Sequence, residues 1–202
     1  MKFTTLQPVI LASGSPRRKE LLGLLGIPFD IIPSDVAEDI AVEGMNLKQY
    51  VETLAKEKTM AVAQSHESAI VIGSDTIVSL GDRLYPKPQD ADQAKQFLRE
   101  LSNKTHNVTT GVAIYVNGEI DMFSVETKVT FRDLDDELID TYVASGDPMD
   151  KAGAYGIQTA GALLVEKIEG DYYAVVGLPI AELTAHLRRL GLLSIGGSVI
   201  DR

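Results

Sequence analysis

The chain has 202 residues, 45% of them hydrophobic, and a formal net charge of −10. That length suits one domain with its own core, and the acidic balance disfavours binding to nucleic acid or to an anionic membrane. Because there is no cysteine, disulfides, thiol catalysis and cysteine-bound zinc are excluded. The sequence shows no signal peptide and no apolar run long enough to span a membrane, so we expect a cytoplasmic protein.

The predicted elements alternate between strand and helix. Strand patterns lie at 8–12, 29–32, 69–80, 108–116, 120–131 and 162–168, and helical patterns lie at 17–25, 47–65, 91–101, 135–145 and 179–190. Asn117-Gly118 predicts a hairpin between two of these strands. With no repeat, linker or composition break, we expect one α/β domain with a mixed sheet, followed by a loose tail.

The segment ASGSPRRKELL places three cations in the first turn of a predicted helix. Ser15 suits the N-cap, and Arg17, Arg18 and Lys19 follow where the helix already carries partial positive charge. A phosphate group would explain this placement, because the N–H groups of a helix start bind anions and arginine adds charge-assisted hydrogen bonds. A solvated basic helix start, paired with surface acids, fits this stretch about as well.

Asp75 interrupts the apolar run AIVIGSDTIVSL. Burying an unpaired carboxylate is costly, so Asp75 must be protonated, paired with a cation or close to a metal ion. Gly73 allows another group or a ligand to approach the backbone. A carboxylate here suits Mg²⁺ binding or the activation of water, whereas the alternative is an aspartate that caps a turn or pairs with an arginine.

Other candidate cations and ligands are weaker on their own. Lys87 lies between two prolines that stiffen its backbone, which suits phosphate binding, although an exposed turn with a solvated lysine fits better. Lys56 and Lys58 point to different faces of their predicted helix, so only one can face a site, and surface lysines are the simpler interpretation. Glu38 could be an oxygen ligand or a solvated acid of the loop.

The segment DKAGAYGIQ is rich in small residues that permit close backbone approach. Tyr155 or Gln158 could contact a base edge or a ribose, and tight helix packing is the alternative. The three histidines share no ligand spacing and are interpreted as structural. The Walker, dinucleotide-binding and nucleophile-elbow motifs do not occur.

Five segments, in order and spacing, resemble the Maf family of nucleotide pyrophosphatases, historically described as septum formation inhibitors. They are LASGSPRRKELL, VIGSDTIV, KPQDADQA, DKAGAYGIQ and GDYYAVVGLPI. The resemblance implies a Maf-like domain over 1–190 and a C-terminal tail over 191–202. It also implies an elongated mixed sheet with helices, forming two lobes around a cleft, similar to the inosine triphosphate pyrophosphatases.

The resemblance further implies hydrolysis of a nucleoside triphosphate between the α and β phosphates, with Mg²⁺ or Mn²⁺ as cofactor. Asp75 matches the family's proton acceptor and is, with Glu38, a candidate metal ligand. Ala37 departs from the family, which often has an acid there. The candidates for binding the phosphates are Ser13, Ser15, Arg17, Arg18, Lys58 and Lys87.

Three positions separate branches of the family. Arg17, Thr76 and Gln158 match the branch that resembles dTTP/UTP pyrophosphatases, whereas the 7-methyl-GTP branch typically has Trp, Gln and Glu. The expected substrates are therefore dTTP, UTP and modified pyrimidine nucleotides, and a homodimer is implied. The Gln158 amide can donate and accept, so it could match the O4/N3–H edge of uracil or thymine.

Three alternatives are kept. The chain could be a pyrophosphatase for 7-methyl-GTP or non-standard purine nucleotides, which a substrate panel distinguishes. It could be a nucleotide-binding regulator of septum formation without turnover, which an Asp75→Asn variant distinguishes. A nucleic-acid-binding module is disfavoured by the acidic charge.

Overall fold

Residues 3–36 and 46–195 are described by the computed structural model. The strands are β1 (Phe3–Thr4), β2 (Val9–Leu11), β3 (Asp30–Ile31), β4 (Ile70–Leu80), β5 (Arg83–Leu84), β6 (Thr105–Val116), β7 (Glu119–Phe131), β8 (Val165–Glu169) and β9 (Ser194–Ile195). The α-helices are α1 (Pro16–Gly23), α2 (Leu47–Ala63), α3 (Ala91–Leu101), α4 (Asp136–Ala144), α5 (Tyr172–Val176) and α6 (Ile180–Arg189). None of the helices in these ranges is both long and apolar enough to cross a membrane.

Seven of the described strands form one mixed sheet, in the order β3-β2-β4-β6-β7-β8, with β5 paired to β4. Strand β2 runs parallel to both β3 and β4, whereas β5 and β8 are antiparallel to β4 and β7. Strand β2, which lies between β3 and β4, is fully buried, as expected for a short apolar strand between parallel neighbours. The predicted mixed α/β fold is confirmed.

The chain divides into two compact units. Unit 1 takes its described residues from Met1–Asp75, Gly111–Ser124 and Gly177–Arg202, and unit 2 comprises Thr76–Thr110 and Val125–Val176. The core of unit 1 includes a buried cluster from β2, α2, β4 and β6. Its buried members are Ile10, Ala12, Val62, Ala63, Ala69, Val71 and Tyr115.

Unit 2 contains the amphipathic helix α3 and an aromatic cluster. The Asp90 side chain accepts a hydrogen bond from Gln93 N and caps α3, and the apolar face of this helix is buried. His106, Phe131 and Tyr155 pack edge to face, with ring centroids 4.7 to 5.5 Å apart. These contacts join β6 and β7 to the segment before β8.

The predicted hairpin joins β6 to β7. Asn117 and Gly118 have φ values of 50° and 89°, the positive pair that a tight two-residue hairpin turn requires. The turn chemistry therefore determined both the connection and the antiparallel pairing of these strands.

Two expectations differ from the structure. The strand predicted at 162–168 begins at Val165, because Ala160–Leu164 forms a 3₁₀ helix. The expected loose tail is wrong for residues 191–195, since β9 pairs antiparallel with β1 and Leu193 is buried. Strand β9 has only two residues, and it forms because the tertiary structure brings it beside β1.

Candidate active site

The loop between β2 and α1 gathers hydroxyl and guanidinium groups. Ser13 is buried, and its Oγ accepts hydrogen bonds from Ser15 N and from Arg18 Nη1, both at 3.3 Å. Ser15 occupies the predicted N-cap of α1, but its side chain makes no capping hydrogen bond. Arg17 and Arg18 follow in the first turn, each half-buried. The predicted basic helix start is therefore present, with Arg18 turned back onto the loop.

A backbone carbonyl orients Arg18. Its Nε donates to Gly177 O at 2.9 Å. The hydroxyl of Ser74, which is fully buried, lies 3.0 Å from the same oxygen and 2.9 Å from Gly111 O. Since Ser74 directly precedes Asp75 on β4, the Gly177 carbonyl connects the basic loop with the part of the strand that carries Asp75.

Asp75 is paired with a lysine. Lys58 Nζ lies 2.5 Å from Asp75 Oδ1, and each residue is 7% exposed. The ammonium offsets much of the cost of burying the carboxylate. Pairing was one of three predicted solutions for Asp75, and of the two lysines weighed on this helix, Lys58 is the one that is buried, whereas Lys56 is half-exposed.

The close approach of α2 to β4 brings these charges together. A Cβ atom on Gly73 would lie 2.2 Å from Thr59 Oγ1 and 2.9 Å from Ala55 O. The group that approaches the backbone at Gly73 is therefore helix α2, which is one of the two possibilities, a protein group or a ligand, that the sequence left open. Because Lys58 lies on the same turn of α2 and Asp75 is two residues beyond Gly73, this packing sets the ion pair.

Three sequence-predicted site residues belong to unit 2. Thr76 Oγ1 lies 2.9 Å from Thr110 Oγ1, and the Thr110 hydroxyl donates to Ala174 O at 2.7 Å. Thr76 is therefore the donor in the pair of threonines. Lys87 is exposed in the segment between β5 and α3, and Gln158 is exposed after the 3₁₀ helix Ala152–Ala154.

Tyr155 and Gln158 were alternative candidates for contacting a base. Tyr155 is 6% exposed, and its hydroxyl lies 2.9 Å from His106 Nε2. Its ring packs against Phe131 with centroids 4.7 Å apart. Tyr155 therefore belongs to the core of unit 2, and of these two residues Gln158 is the one a ligand can reach.

Each histidine side chain has a hydrogen-bonding partner within the protein, and that of His106 is the Tyr155 hydroxyl. His66 Nδ1 lies 3.0 Å from Val62 O, and His186 Nδ1 lies 2.5 Å from Asp121 Oδ2. Burial lowers the pKa of His106 to about 4, so its ring is neutral at pH 7. These contacts support the structural roles predicted for all three.

A divalent cation is often held by carboxylate or imidazole side chains that lie close together. Glu38 lies outside the described residues, and within 3–36 and 46–195 no three His, Asp or Glu side chains come together as a metal cage. Mg²⁺ does not need such a cage, because one or two carboxylates and the substrate's phosphates hold it. Asp75 fits this mode of binding, since Lys58 contacts Oδ1 and Oδ2 suits a cation or a water molecule.

Ser74, Gly177 and Thr110 were missed by the sequence analysis. Ser74 had a usable signal, because a hydroxyl inside an apolar strand needs a buried partner. Gly177 lies in GDYYAVVGLPI, a segment to which the residues alone assigned no role. Thr110 has no local signal, since its partner Thr76 is 34 positions away along the chain.

An α/β fold with a lysine-paired carboxylate and an arginine-bearing helix start is suited to bind a phosphate group and to hold a carboxylate near it. Residues 8–190 match the family model described as Maf-like protein, and the chain belongs to this family.

Two curated proteins are similar to most of this chain, and two solved structures are similar to part of it. A dTTP/UTP pyrophosphatase of Bacillus cytotoxicus is 50% identical over 184 residues, 91% of this chain and 96% of that protein. One from Bacillus cereus (strain B4264) is 49% identical over 187 residues, 93% of this chain and 97% of that protein. The Staphylococcus aureus Ham1 protein has a TM-score of 0.44 at 14% identity, covering 62% of this chain and 72% of that one. A Mycobacterium abscessus nucleoside-triphosphatase, a dITP/XTP pyrophosphatase, has a TM-score of 0.36 at 15% identity, covering 61% and 74%.

Proposed function

We propose that this protein hydrolyses dTTP and UTP, and modified pyrimidine nucleotides, to the nucleoside monophosphate and pyrophosphate. Its substrates are inferred from relatives with that name, which are 49 to 50% identical over 91 to 93% of the chain. The observation that carries the reaction is the buried pair of Lys58 and Asp75, because it holds a carboxylate in one orientation inside an apolar strand.

Asp75 is the proposed proton acceptor. Its Oδ2 takes a proton from water as the water oxygen forms a bond to the α phosphorus. The bond from that phosphorus to the bridging oxygen breaks, and this oxygen leaves with the pyrophosphate. Lys58 holds the other carboxylate oxygen and so keeps Oδ2 directed at the water.

Hydroxyl, guanidinium and ammonium donors are proposed to bind the triphosphate. They are Ser13, Ser15, Arg17, Arg18, Lys58 and Lys87. Such donors stabilise negative charge that accumulates on the leaving pyrophosphate. Arg18 is already oriented by Gly177 O and by Ser13, so little ordering remains when the substrate binds.

A divalent cation, Mg²⁺ or Mn²⁺, is the proposed cofactor. Asp75 and Glu38 are the residues proposed to hold it. When bound, it would supply positive charge against the phosphate oxygens.

Base selection is assigned to Arg17, Thr76 and Gln158. The Gln158 amide offers one donor group and one acceptor group, which complement the O4/N3–H edge of uracil or thymine.

A homodimer in the cytoplasm is also proposed, and light scattering of the purified protein measures its mass.

Product analysis tests the reaction. The purified protein is incubated with UTP, dTTP, CTP, 7-methyl-GTP and ITP, with Mg²⁺ or with chelator. We expect monophosphate and pyrophosphate from UTP and dTTP, and no products with chelator. Diphosphate plus phosphate would contradict the role of Asp75. A preference of about tenfold or more for 7-methyl-GTP or ITP would contradict the substrate assignment.

An Asp75→Asn variant tests the catalytic group. It keeps the shape of the side chain and removes its basicity, so we expect turnover to fall on the order of 10²–10⁴-fold. The matched control is Asp82→Asn, which changes an exposed carboxylate in the turn after β4. Wild-type protein that binds UTP without turnover, or a cell-division phenotype that survives Asp75→Asn, would favour a regulatory role.

A further inference from the structure

Gln158 lies in a closed turn of unit 2. Thr159 N donates to Gly156 O at 3.2 Å, which leaves Ile157 and Gln158 as the two central residues. Ile157 is 8% exposed, whereas Gln158 is exposed. This 156–159 turn therefore anchors one side chain in the protein and presents the other to solvent.

Tyr142 holds the first residue of the 156–159 turn. It lies on α4 and is 4% exposed, and its hydroxyl accepts a hydrogen bond from Gly156 N at 3.0 Å. The same hydroxyl donates to Asp147 Oδ2 at 2.7 Å. Burial, together with the neighbouring Asp147, raises the pKa of Tyr142 well above its usual value, so the hydroxyl keeps its proton.

Asp147 holds the last residue of the turn. Its Oδ2 accepts a second hydrogen bond, from Thr159 Oγ1 at 2.6 Å, and its Oδ1 lies 3.1 Å from Lys151 Nζ. Burial acts to raise the pKa of Asp147, but hydrogen bonds from Thr159, Tyr142 and Lys151 outweigh it and hold this pKa below its usual value. Asp147 is therefore a charged acceptor at neutral pH.

The backbone around the turn is tightly packed. A Cβ atom on Gly156 would lie 2.5 Å from Lys151 Cε, and one on Gly161 would lie 2.8 Å from the Tyr142 hydroxyl oxygen and 2.6 Å from Gly156 O. At Gly161 only glycine permits this approach, because the nearest atom belongs to the backbone. The turn is thus held by side-chain hydrogen bonds at both ends and by direct backbone contact.

We infer that Tyr142 and Asp147 are positioning residues for base selection, which fix the 156–159 turn so that the Gln158 amide meets one edge of the pyrimidine. This inference rests on the proposed function. An amide has a donor end and an acceptor end, so a freely rotating glutamine can pair with cytosine as well as with uracil. Discrimination also needs the backbone that carries the amide to be held in one place, and the hydrogen bonds at both ends of the turn do this.

Substitutions that release the turn test this inference. Tyr142→Phe removes the hydrogen bonds to Gly156 and Asp147, and Thr159→Val removes the hydrogen bond to Asp147. For each variant we expect the ratio of kcat/KM for UTP to that for CTP to fall about tenfold. Thr159→Ser keeps the hydroxyl and is expected to keep the wild-type ratio. The ratio should fall through a lower kcat/KM for UTP, a higher kcat/KM for CTP, or both, because a released amide pairs with either base.

Tyr155→Phe is the matched control. It removes another buried hydroxyl of unit 2, one that contacts His106 and not the turn, so we expect lower stability with an unchanged ratio. Combining Tyr142→Phe with Gln158→Ala should give the ratio of Gln158→Ala alone, because both act through one side chain.

The outcomes separate the inference from the proposed function. The inference is overturned if Tyr142→Phe and Thr159→Val stay within about twofold of the wild-type ratio, if Tyr155→Phe lowers the ratio equally, or if the wild type uses UTP and CTP alike. A wild-type protein that releases no pyrophosphate from UTP contradicts the proposed function itself, and the inference with it.

Discussion

Lys58 and Asp75 carry opposite charges in a part of unit 1 where each is 7% exposed. A buried pair of this kind adds little net stability when complete, but removing one partner leaves an uncompensated charge. The proposed chemistry therefore depends on two residues that also stabilise the fold through each other.

Replacing Lys58 by methionine tests this dependence. Lys58→Met keeps most of the aliphatic stem and removes the ammonium group, so we expect the free energy of unfolding to fall by about 3–5 kcal/mol. Turnover of UTP should be lost as well. Urea unfolding and kcat/KM measure the two effects.

Lys56→Met is the control for this substitution. Lys56 is half-exposed on the same helix, and we expect its loss to change stability by no more than about 0.5 kcal/mol. A Lys58→Met protein with wild-type stability and turnover would show that the ion pair serves neither purpose.

His106 makes stability depend on pH. Its pKa is about 4 in the folded protein because burial disfavours the charged ring, and about 6.5 in the unfolded chain. Between these two pH values the unfolded chain binds a proton at His106 and the folded protein does not. The contribution of His106 to the free energy of unfolding is therefore fully present above about pH 6.5 and is lost as the pH falls towards about 4.

A His106→Gln variant isolates this effect, because glutamine does not titrate and can still bond the Tyr155 hydroxyl. Between pH 7.5 and pH 5 we expect the wild type to lose about 2 kcal/mol more stability than the variant. Urea unfolding at both pH values is the measurement. Parallel losses in the two proteins would mean that His106 does not remain neutral in the fold.

At the scale of elements, the packing of α2 on β4 is set by Gly73. A Cβ atom there would meet the Thr59 hydroxyl and also the Ala55 carbonyl oxygen, which belongs to the helix backbone. The helix itself would have to move, and Lys58 would move with it.

Gly73→Ala is therefore expected to lower the free energy of unfolding by about 1–3 kcal/mol and to reduce turnover. Thermal unfolding and a UTP assay report the two changes. Gly23→Ala, at the end of α1, is the control, because a Cβ atom there meets nothing within 4 Å. Its effect should lie between neutral and a gain of about 1 kcal/mol. If both variants had the same stability and turnover, the close approach of α2 to Gly73 would be contradicted.

Elements with a clear pattern were predictable. Helix α3 has the predicted bounds, and the β6–β7 hairpin turns at Asn117-Gly118. Of the two-residue strands, β3 lies within the strand predicted at 29–32, whereas β1, β5 and β9 were not predicted. Strands this short pair where the tertiary structure brings them together.

At the scale of the whole molecule, a net charge of −10 weakens binding to polyanions such as nucleic acid. Nucleic acid is bound by neutralising phosphates over an extended basic surface, and affinity of that kind falls steeply with salt. The proposed triphosphate site needs only a local group of cations.

We therefore expect weak retention on immobilised double-stranded DNA that hardly changes with salt concentration. The same protein should bind UTP, measured by calorimetry in the same buffer. A DNA affinity that drops by several orders of magnitude between low and high salt would instead indicate an extended basic surface, contrary to the charge balance.

The sequence by itself determined the fold class, the family, and the requirement that Asp75 find a partner. These follow from local periodicity, from ordered motifs and from the cost of burying a charge, all of which are properties of short segments. Only the tertiary structure decided that the partner is Lys58, that Gly177 orients Arg18, and that Tyr142 and Asp147 pin the turn of Gln158. These contacts join residues that lie 12 to 159 positions apart along the chain. Their geometry depends on how helices and strands pack, which no local pattern encodes.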